Sequence, residues 1–350
     1  MKSINKKYLA LDKFIDKALY DKDSGFYMKK NPIGKKGDFI TSPNISVLFS
    51  EMIAIWVISF WEYLKYPKKI NLVEMGGGNG EMTLQLLKTF DYFPLFKNSY
   101  RTFILEKSPL LINLQKKKLK KYKVRWFKNL KNLNKYPTIY LANEFFDSLP
   151  VKQFIKKNNS WFQRYIKIDN NDYQYFNSKF EMKNLEKKIG LNISKNQKFI
   201  EFSPLQFDYI KKISKILKIN NGGLLIIDYG YVKNFMKDTI QSVHKHEKNE
   251  IFNNVGKSDI THHINFDLIR KIADSFELRS SSIVGQGKFL KNLGILKRAE
   301  ILSRKLSFSK KANIYYRLKR LIDENQMGEL FKVILLTKSN SYFNKGFEID

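Results

Sequence analysis

The sequence contains no cysteine among its 350 residues, so disulfide bonds, thiolate metal sites and cysteine nucleophiles are excluded. It also lacks the roughly 18 consecutive uncharged apolar residues that a membrane-spanning helix needs. The most apolar stretch, residues 52–60, is short and lies between Glu51 and Glu62, which predicts a core helix. The N-terminal residues show no separate apolar block before a small-residue cleavage site, so we expect no secretory signal. These absences predict a globular protein without membrane insertion.

Acidic residues are scarce relative to basic ones. The chain has 33 Asp and Glu against 64 Lys and Arg, a formal net charge of +31. Lys and Arg side chains in such excess can neutralise the phosphates of a nucleic acid. The lysines are nevertheless spread along the whole chain, together with many Asn and Ile, which is typical of a compositional bias and a solvated surface. We therefore do not expect nucleic acid to be the main partner.

No internal repeat and no Pro/Gly/Ser-rich linker divides the chain, which indicates one elaborated domain. Apolar runs alternate with segments of helical period, the pattern of an α/β protein. The runs that predict strands are residues 70–74, 101–106, 124–127, 138–142, 223–229 and 331–337. Helices are expected at 81–89 and after Ser108, which can cap one. This order predicts a Rossmann-like, doubly wound and mostly parallel sheet.

Two stretches do not follow this alternation of predicted strands and helices. Residues 151–199 alternate polar and aromatic side chains, which predicts a β-rich insertion. Residues 232–266 show no clear period and are expected to form a long loop or lid. We therefore divide the chain into N-terminal helices with a flap at 1–69, a main domain at 70–340 with insertions at about 151–199 and 232–266, and a C-terminal tail at 341–350.

The most informative motif is the glycine turn LVEMGGGNG at residues 72–80. Its acidic-x-G-x-G-x-G spacing is formed by Glu74, Gly76, Gly78 and Gly80. Glycines allow the backbone to pass close to a ligand at the carboxyl end of the first strand. A dinucleotide turn would need glycine in place of Glu81, and no P-loop pattern occurs. Glu106 ends the second strand, where a carboxylate can accept hydrogen bonds from both ribose hydroxyls of an adenosyl group. The pattern favours S-adenosylmethionine (SAM) over NAD.

Sequence blocks along nearly the whole chain resemble the MidA family, bacterial and mitochondrial methyltransferases linked to assembly of respiratory complex I. The blocks are LYDKDSGFY at 19–27, GDFITSPNIS at 37–46, LVEMGGGNG at 72–80, ANEFFDSLPV at 142–151, IIDYG at 226–230, SDITHHINF at 258–266 and MGELFKV at 327–333. The resemblance implies a class I methyltransferase fold and SAM-dependent methylation of a protein arginine, giving symmetric dimethylarginine on a complex I core subunit in mitochondrial members. The chain departs from the family pattern at Asn44, where an acid is usual, and at His262, where alanine is usual.

The expected catalytic residues are acids near the carboxyl edge of the sheet. Methyl transfer requires the acceptor to approach in line, so positioning supplies most of the catalysis. Carboxylates can hold the planar, cationic guanidinium that the resemblance implies. Glu144 is the first candidate because it follows strand 138–142 directly. The further candidates are Asp147, Glu201, Asp228 and His263, the last because it matches the family pattern.

Other residues are expected to complete the cofactor site. A flap at 38–43 can close over SAM and offer the hydroxyl of Thr41. Pro43 and Asn143 are the remaining expected contacts. The histidine pairs at 244 and 246 and at 262 and 263 have no further ligands at structural-site spacing, so we expect no metal.

The leading prediction is a SAM-dependent protein arginine methyltransferase, cytoplasmic in a bacterium or in the mitochondrial matrix of a eukaryote. Its expected partner is a protein substrate, a complex I core subunit, and a homodimer is left open. An RNA methyltransferase is an alternative that charge alone favours. A non-catalytic assembly factor that keeps the SAM fold as a scaffold is another. The intact residues Gly76, Gly78, Gly80, Glu106 and Glu144 argue against the scaffold.

Overall fold

The computed structural model describes residues 7–34, 37–130, 133, 135–169 and 172–348. The strands are β1 (Lys7–Ala10), β2 (Ile70–Met75), β3 (Tyr100–Leu105), β4 (Val124–Phe127), β5 (Thr138–Asn143), β6 (Lys152–Lys157), β7 (Ser160–Asp169), β8 (Asp172–Phe180), β9 (Phe199–Phe202), β10 (Gly222–Tyr231), β11 (Gln241–His244), β12 (Glu247–Asn249), β13 (Asp259–Thr261), β14 (Ile264–Asn265), β15 (Leu278–Ser280), β16 (Val284–Gly285) and β17 (Phe331–Lys338). The helices are α1 (Leu11–Tyr20), α2 (Phe26–Lys29), α3 (Ser42–Ile45), α4 (Val47–Tyr63), α5 (Glu81–Phe90), α6 (Pro94–Lys97), α7 (Pro109–Lys118), α8 (Met182–Ile189), α9 (Pro204–Asn220), α10 (Phe266–Ser275), α11 (Gln286–Asn292), α12 (Ile295–Ser303) and α13 (Phe308–Ile322), followed by a short π-helical turn at Glu324–Gly328.

The central sheet has the strand order β4-β3-β2-β5-β10-β17-β15. Strands β2, β3, β4, β5 and β10 run parallel, and β17 is antiparallel to β10 and β15. Every residue of β2 is buried, as expected for a parallel strand covered on both faces. The strand order reverses between β2 and β5, which places a ligand crevice at the carboxyl ends of these strands. The predicted class I methyltransferase fold is confirmed.

Alternate residues of the central strands point into two cores. In β10, Leu225 and Ile227 join the core that contains α4, whereas Leu224 and Ile226 join the core that contains α9 and α10. This alternation follows from the two-residue period of a strand. The apolar run at 52–60 lies within α4, so its prediction as a core helix is confirmed.

The β-rich insertion forms a second sheet, which is antiparallel and has the order β1-β7-β6-β9, with β8 also paired to β7. Strand β1 was not expected. Its residues Lys7–Ala10 pair with residues 165–168 of β7, far along the chain. The expectation of helices and a flap before residue 70 is therefore incomplete, because a four-residue strand with a distant partner leaves too short a local pattern.

Residues 232–266, expected to form a long loop or lid, contain regular structure. Strands β12, β11 and β13 form a small antiparallel sheet, and β14 pairs in parallel with β10. These strands are only two to four residues long, which is too short for alternation to be visible in the sequence. Side chains of this segment and of helix α1 share one apolar cluster that includes Phe14, Ile15, Ile251 and Ile260.

The described residues of the expected C-terminal tail pack against α4. Phe343 meets Trp56 and Phe60 with ring centroids 5.7 and 4.9 Å apart. Trp56 Nε1 donates a hydrogen bond to the carbonyl oxygen of Lys345 at 3.2 Å. Because these contacts bury aromatic rings, the segment is part of the domain surface rather than a detached tail.

Helices α12 and α13 form a hairpin, residues 295–322, that contacts α4 and α3. The connection between the two helices, residues 304–307, is short. None of the described helices has the length and apolarity that crossing a bilayer requires.

Candidate active site

The glycine turn joins β2 to α5 in a backbone conformation that favours glycine. Gly76 and Gly78 have φ angles of 72° and 51°, in the left-handed region. A Cβ atom added at Gly78 would lie 2.7 Å from Cδ1 of Ile33, a residue of the N-terminal segment. A side chain at Gly78 would therefore require Ile33 to shift and would be strained by the left-handed φ.

A cavity of about 430 Å³ opens in front of this turn, at the carboxyl ends of the central strands. The N-terminal segment and the small sheet of residues 232–266 complete its walls. The predicted site residues that line it are Thr41, Pro43, Glu74, Gly76, Gly78, Glu106, Asn143, Glu144, Asp147 and His263. The other three, Gly80, Glu201 and Asp228, do not line it. Gly80 instead begins helix α5 as its N-cap.

Glu106 lies beside the glycine turn and is connected to it. Gln115 Nε2 donates to Glu106 Oε2 at 3.2 Å and to the carbonyl oxygen of Gly78 at 2.8 Å. The backbone N–H of Ser108 donates to Glu106 Oε1 at 3.0 Å. A carboxylate has about four lone-pair sites, so Glu106 can still accept hydrogen bonds from two hydroxyls. Burial raises the pKa of Glu106 to about 7.

Glu74 lies under the turn. It is 5 % exposed and accepts a hydrogen bond from the hydroxyl of Thr83 in α5. Burial raises its pKa to about 8, with a smaller contribution from the neighbouring Glu106. The carboxyl group therefore joins the end of β2 to the first turns of α5.

Two buried oxygen atoms at the cavity have no hydrogen-bond partner within the described residues. They are Asn143 Oδ1 and Asp147 Oδ1. Buried polar atoms are nearly always paired, so each is a place where a bound molecule can donate a hydrogen bond. Together with Glu106 and the glycine turn, Asn143 Oδ1 fits the hydroxyl and ammonium donors of SAM.

The loop at 144–148 turns its acidic side chains towards the cavity. Glu144 has a φ angle of 49°, a strained conformation for a residue with a Cβ atom. Its backbone N–H donates to the carbonyl oxygen of Ile227 at 2.9 Å. Asp228 Oδ2 accepts the backbone N–H groups of Phe146 at 3.0 Å and of Asp147 at 3.2 Å. The end of β10 therefore enforces the shape of the loop.

The flap and the 232–266 segment hold the same loop from two further directions. The backbone N–H of Ser42 donates to Glu144 Oε1 at 2.8 Å. His262 lies with Nδ1 2.8 Å from the carbonyl oxygen of Asp147. Asp38 connects the two segments, since it pairs with Lys30 at 2.6 Å and accepts the backbone N–H of Lys245 at 2.9 Å. The flap is thus tied both to the acidic loop and to the insertion.

The sequence analysis missed Asp259 and Tyr27 as lining residues. Tyr27 donates its hydroxyl to Asp259 Oδ1 at 2.9 Å, and both residues face the cavity. Tyr229, also missed, lines the cavity as well. The available signal was their position in the family-like blocks at 19–27, 226–230 and 258–266, which carried no residue-level role.

Three carboxylates, Glu144, Asp147 and Asp259, give this end of the cavity an unusual electrostatic character. Burial raises the pKa of Glu144 to about 7, of Asp147 to about 6 and of Asp259 to about 7. The charge of Asp147 raises the pKa values of the other two further. Burial and the charges of Asp147 and Glu144 also raise the pKa of Asp228. A cation placed among these groups would favour their ionised forms.

Glu201 lies behind the cavity wall and supports His263. Its carboxylate accepts hydrogen bonds from Gln153 Nε2 at 2.6 Å and from the hydroxyl of Thr239. Thr239 Oγ1 in turn accepts the backbone N–H of His263 at 2.9 Å. Burial lowers the pKa of His263, which favours a neutral imidazole at the cavity.

Two of the four histidines lie within hydrogen-bond distance of backbone carbonyl oxygens. His244 Nδ1 lies 3.0 Å from the carbonyl oxygen of Lys257, and His262 binds the acidic loop. In the part of the chain that the structure describes, no three His, Asp or Glu side chains are grouped to hold a metal ion.

Comparison with known proteins identifies the chemistry of this fold. A family model for S-adenosyl-L-methionine-dependent methyltransferases matches residues 52–284, about two thirds of the chain. The chain belongs to this methyltransferase family. Its cofactor is SAM, as the glycine turn and Glu106 predicted.

Two relatives of the same kind support this assignment. The chain is 27 % identical to the mitochondrial protein arginine methyltransferase NDUFAF7 of Xenopus tropicalis, over 93 % of this chain and 81 % of that protein. It is 26 % identical to the human NDUFAF7 protein, over 94 % of this chain and 80 % of that one. The resemblance to the MidA family is thereby confirmed.

A solved structure supports the fold. The structure of a methyltransferase-like protein from Burkholderia thailandensis, bound to S-adenosyl-homocysteine, superposes with a TM-score of 0.82 at 21 % identity. The match covers 97 % of this chain and 90 % of that one.

We expect the substitution Gly78→Val to weaken SAM binding at least tenfold, because the branched side chain meets Ile33 and strains the turn. Calorimetric titration with SAM, with NAD as a second ligand, measures this. Gly190→Val is the matched control, since Gly190 also has a left-handed φ, 69°, but has no atom within 4 Å of its added Cβ. Unchanged SAM affinity in folded Gly78→Val protein would refute the pocket assignment.

We also expect Asp147→Asn to stabilise the protein in a pH-dependent way. Asp147 has a raised pKa in the folded state, so its ionisation disfavours folding above about pH 6 and has no effect below the unfolded value of 3.8. At pH 8 the substitution should raise the free energy of unfolding by roughly 1–3 kcal/mol, and near pH 3.5 the gain should vanish. Urea unfolding at both pH values tests this, with the exposed Asp208→Asn as control. A gain that is equal at both pH values would contradict it.

Proposed function

We propose that this chain is a SAM-dependent protein arginine methyltransferase and that its substrate is a core subunit of respiratory complex I, which it converts to symmetric dimethylarginine. The observation that carries the arginine proposal is the group of buried carboxylates Glu144, Asp147 and Asp259 at the cavity. The relatives named as mitochondrial protein arginine methyltransferases support the substrate class. The complex I subunit and the symmetric product rest on the family resemblance.

The acidic loop would orient the acceptor. SAM, when bound, supplies an electrophilic methyl group. A planar guanidinium entering the carboxylate end of the cavity can pair with Glu144 and Asp147, and both are held by backbone hydrogen bonds rather than by mobile side chains alone. Fixing two donor groups of the guanidinium leaves the third nitrogen to face the methyl group in line.

The same carboxylates would take up the proton that the methylated nitrogen loses. A general base works best when its pKa lies near the working pH. Burial raises the pKa values of Glu144 and Asp147 to about 7 and about 6, which brings both groups close to neutral pH. We assign Glu144 as the main proton acceptor because it is also held by Ser42 of the flap.

Asp228 and Glu201 act in this proposal as positioning residues. Asp228 shapes the loop that carries Glu144 and Asp147, and it does so through the backbone N–H groups of that loop. Glu201 acts through Thr239 on His263. Both therefore influence the substrate through another residue. The predicted cofactor-binding residues that line the cavity are proposed to contact SAM. Gly80 does not line it and contributes by starting helix α5.

The charge of the cavity argues against RNA as the acceptor. Six acidic residues line it, namely Glu74, Glu81, Glu106, Glu144, Asp147 and Asp259, against the two cations Lys107 and Arg320. An RNA methyltransferase would be expected to surround its site with basic residues that neutralise phosphates. The preserved cavity likewise argues against a purely structural scaffold.

The proposed location follows the relatives. We propose the mitochondrial matrix in a eukaryote, as the relatives named mitochondrial suggest, and the cytoplasm in a bacterium. The division into segments 1–69, 70–340 and 341–350 is retained as a proposal about domain boundaries. A homodimer stays a prediction.

We expect Glu144→Gln to lower kcat/KM for methyl transfer by at least about 100-fold, because the amide cannot accept the proton or pair with the guanidinium charge. SAM affinity should stay within about threefold. The assay follows labelled methyl transfer from SAM to the purified complex I core subunit encoded in the same genome, with mass spectrometry to identify symmetric dimethylarginine.

The matched control is Glu181→Gln at the exposed start of α8. It should leave both SAM affinity and methyl transfer unchanged. Methyl transfer by Glu144→Gln at the normal rate would remove Glu144 from the mechanism. A product methylated on a residue other than arginine would contradict the proposed substrate class.

A further inference from the structure

The α12–α13 hairpin concentrates positive charge at a site away from the cavity. Residues 295–322 contain nine Lys and Arg and one acid, Glu300. Four of these cations, Arg304, Lys305, Lys310 and Lys311, surround the connection between the two helices. This tip of the hairpin, residues 304–311, therefore carries four cations and no acid within eight residues.

The tip also exposes apolar side chains. Phe308 is 87 % exposed, and Ile301, one turn before the end of α12, is 47 % exposed. Further along α13, Tyr316 is 75 % exposed and Tyr315 is 45 % exposed. The order from the tip inwards is an aromatic ring, then lysines, then tyrosines. Large exposed apolar groups of this kind usually mark an interaction site.

We propose that the tip of the α12–α13 hairpin, residues 304–311, binds the surface of an anionic lipid bilayer. Phe308 enters the acyl boundary, and Lys305, Lys310 and Lys311 meet the lipid phosphates, whereas Arg304 pairs with Glu300 at 3.2 Å. Tyr315 and Tyr316 lie at the level of the headgroups. Basic clusters beside an exposed aromatic bind anionic membranes in this way, through apolar burial and charge together. Tyrosine prefers the interface because one end of its ring is polar.

The arrangement favours a bilayer over an acidic protein or RNA because its apolar and charged groups form layers. Phe308 keeps most of its ring exposed at the tip, which suits entry into a fluid layer. Along α13 the tyrosines lie seven and eight residues after Phe308, with Lys310 and Lys311 between them, so the three rings do not form the continuous platform that stacking on successive bases requires.

Helix α13 of the hairpin runs from the proposed membrane-binding tip to the cavity. Arg320, near the other end of α13, lines the cavity. The distance from Phe308 to Arg320 is about 18 Å along the helix axis. A hairpin seated on the membrane would therefore hold the mouth of the cavity close to the bilayer surface, within reach of protein segments exposed there.

Vesicle cosedimentation tests the proposal with the full-length protein. The vesicles are phosphatidylcholine with 30 % phosphatidylglycerol, and phosphatidylcholine alone, in about 0.1 M salt. We expect binding to the anionic vesicles only. Phe308→Ser should weaken it about tenfold. The double variant Lys310→Gln/Lys311→Gln should weaken it by roughly fivefold per lysine.

Matched controls distinguish vesicle binding by the hairpin tip from binding by exposed lysines or apolar side chains elsewhere on the surface. Leu95→Ser removes an apolar side chain that is 80 % exposed on α6, and Lys187→Gln/Lys188→Gln removes two exposed lysines on α8. Both controls should bind vesicles within about twofold of the parent protein, and all variants should keep SAM affinity. Equal losses in the controls, or no loss in Phe308→Ser, would overturn the proposal. It is also overturned if Phe308→Ser weakens binding of single-stranded RNA or an acidic peptide but not of vesicles.

Discussion

The carboxylate of Asp228, at the end of β10, accepts the backbone N–H groups of Phe146, Asp147 and Tyr229. These hydrogen bonds fix the loop that follows β5 and hold Glu144 in a left-handed conformation that it would not adopt unaided. The flap then binds Glu144 through Ser42, and the 232–266 segment binds the carbonyl oxygen of Asp147 through His262. The shape of this end of the cavity thus depends on one buried carboxyl group that does not itself line the cavity.

Grouping buried carboxyl groups at the cavity lowers the stability of the folded protein when they ionise. Burial raises the pKa values of Glu144, Asp147 and Asp259 towards neutrality, which means that their ionised forms are disfavoured in the folded protein. Groups with pKa values perturbed in this way cluster at functional sites. A bound ligand of opposite charge favours their ionised forms. A guanidinium is such a ligand, since it brings a delocalised positive charge and several donors. The folded protein is therefore less stable without a cation than with one.

The parts of the site that could be predicted are those that follow a strand directly. The glycine turn after β2, Glu106 after β3 and Glu144 after β5 are recognisable because a parallel sheet brings its carboxyl ends to one edge. Asp259 and Tyr27 were missed because their hydrogen bond joins segments that are distant in sequence. Asp228 and Glu201 were expected at the substrate, but side chains on a strand alternate between faces, and sequence position alone does not tell which face meets the cavity. Strand β1 and the short strands of 232–266 are too short for alternating apolar and polar residues to predict them.

The central claim is that the buried carboxylates bind a cationic arginine side chain. The most direct test measures how many protons are exchanged when that side chain binds. Calorimetric titration of the protein and S-adenosyl-homocysteine with an arginine peptide, at pH 6.5 in buffers of different ionisation enthalpy, gives the number of protons exchanged. The account predicts release of roughly one proton per bound peptide, because the guanidinium lowers the pKa values of Glu144 and Asp147 and ionises them. A lysine-free peptide with citrulline in place of arginine should release none. Binding of the arginine peptide without proton release, or with proton uptake, would contradict the account.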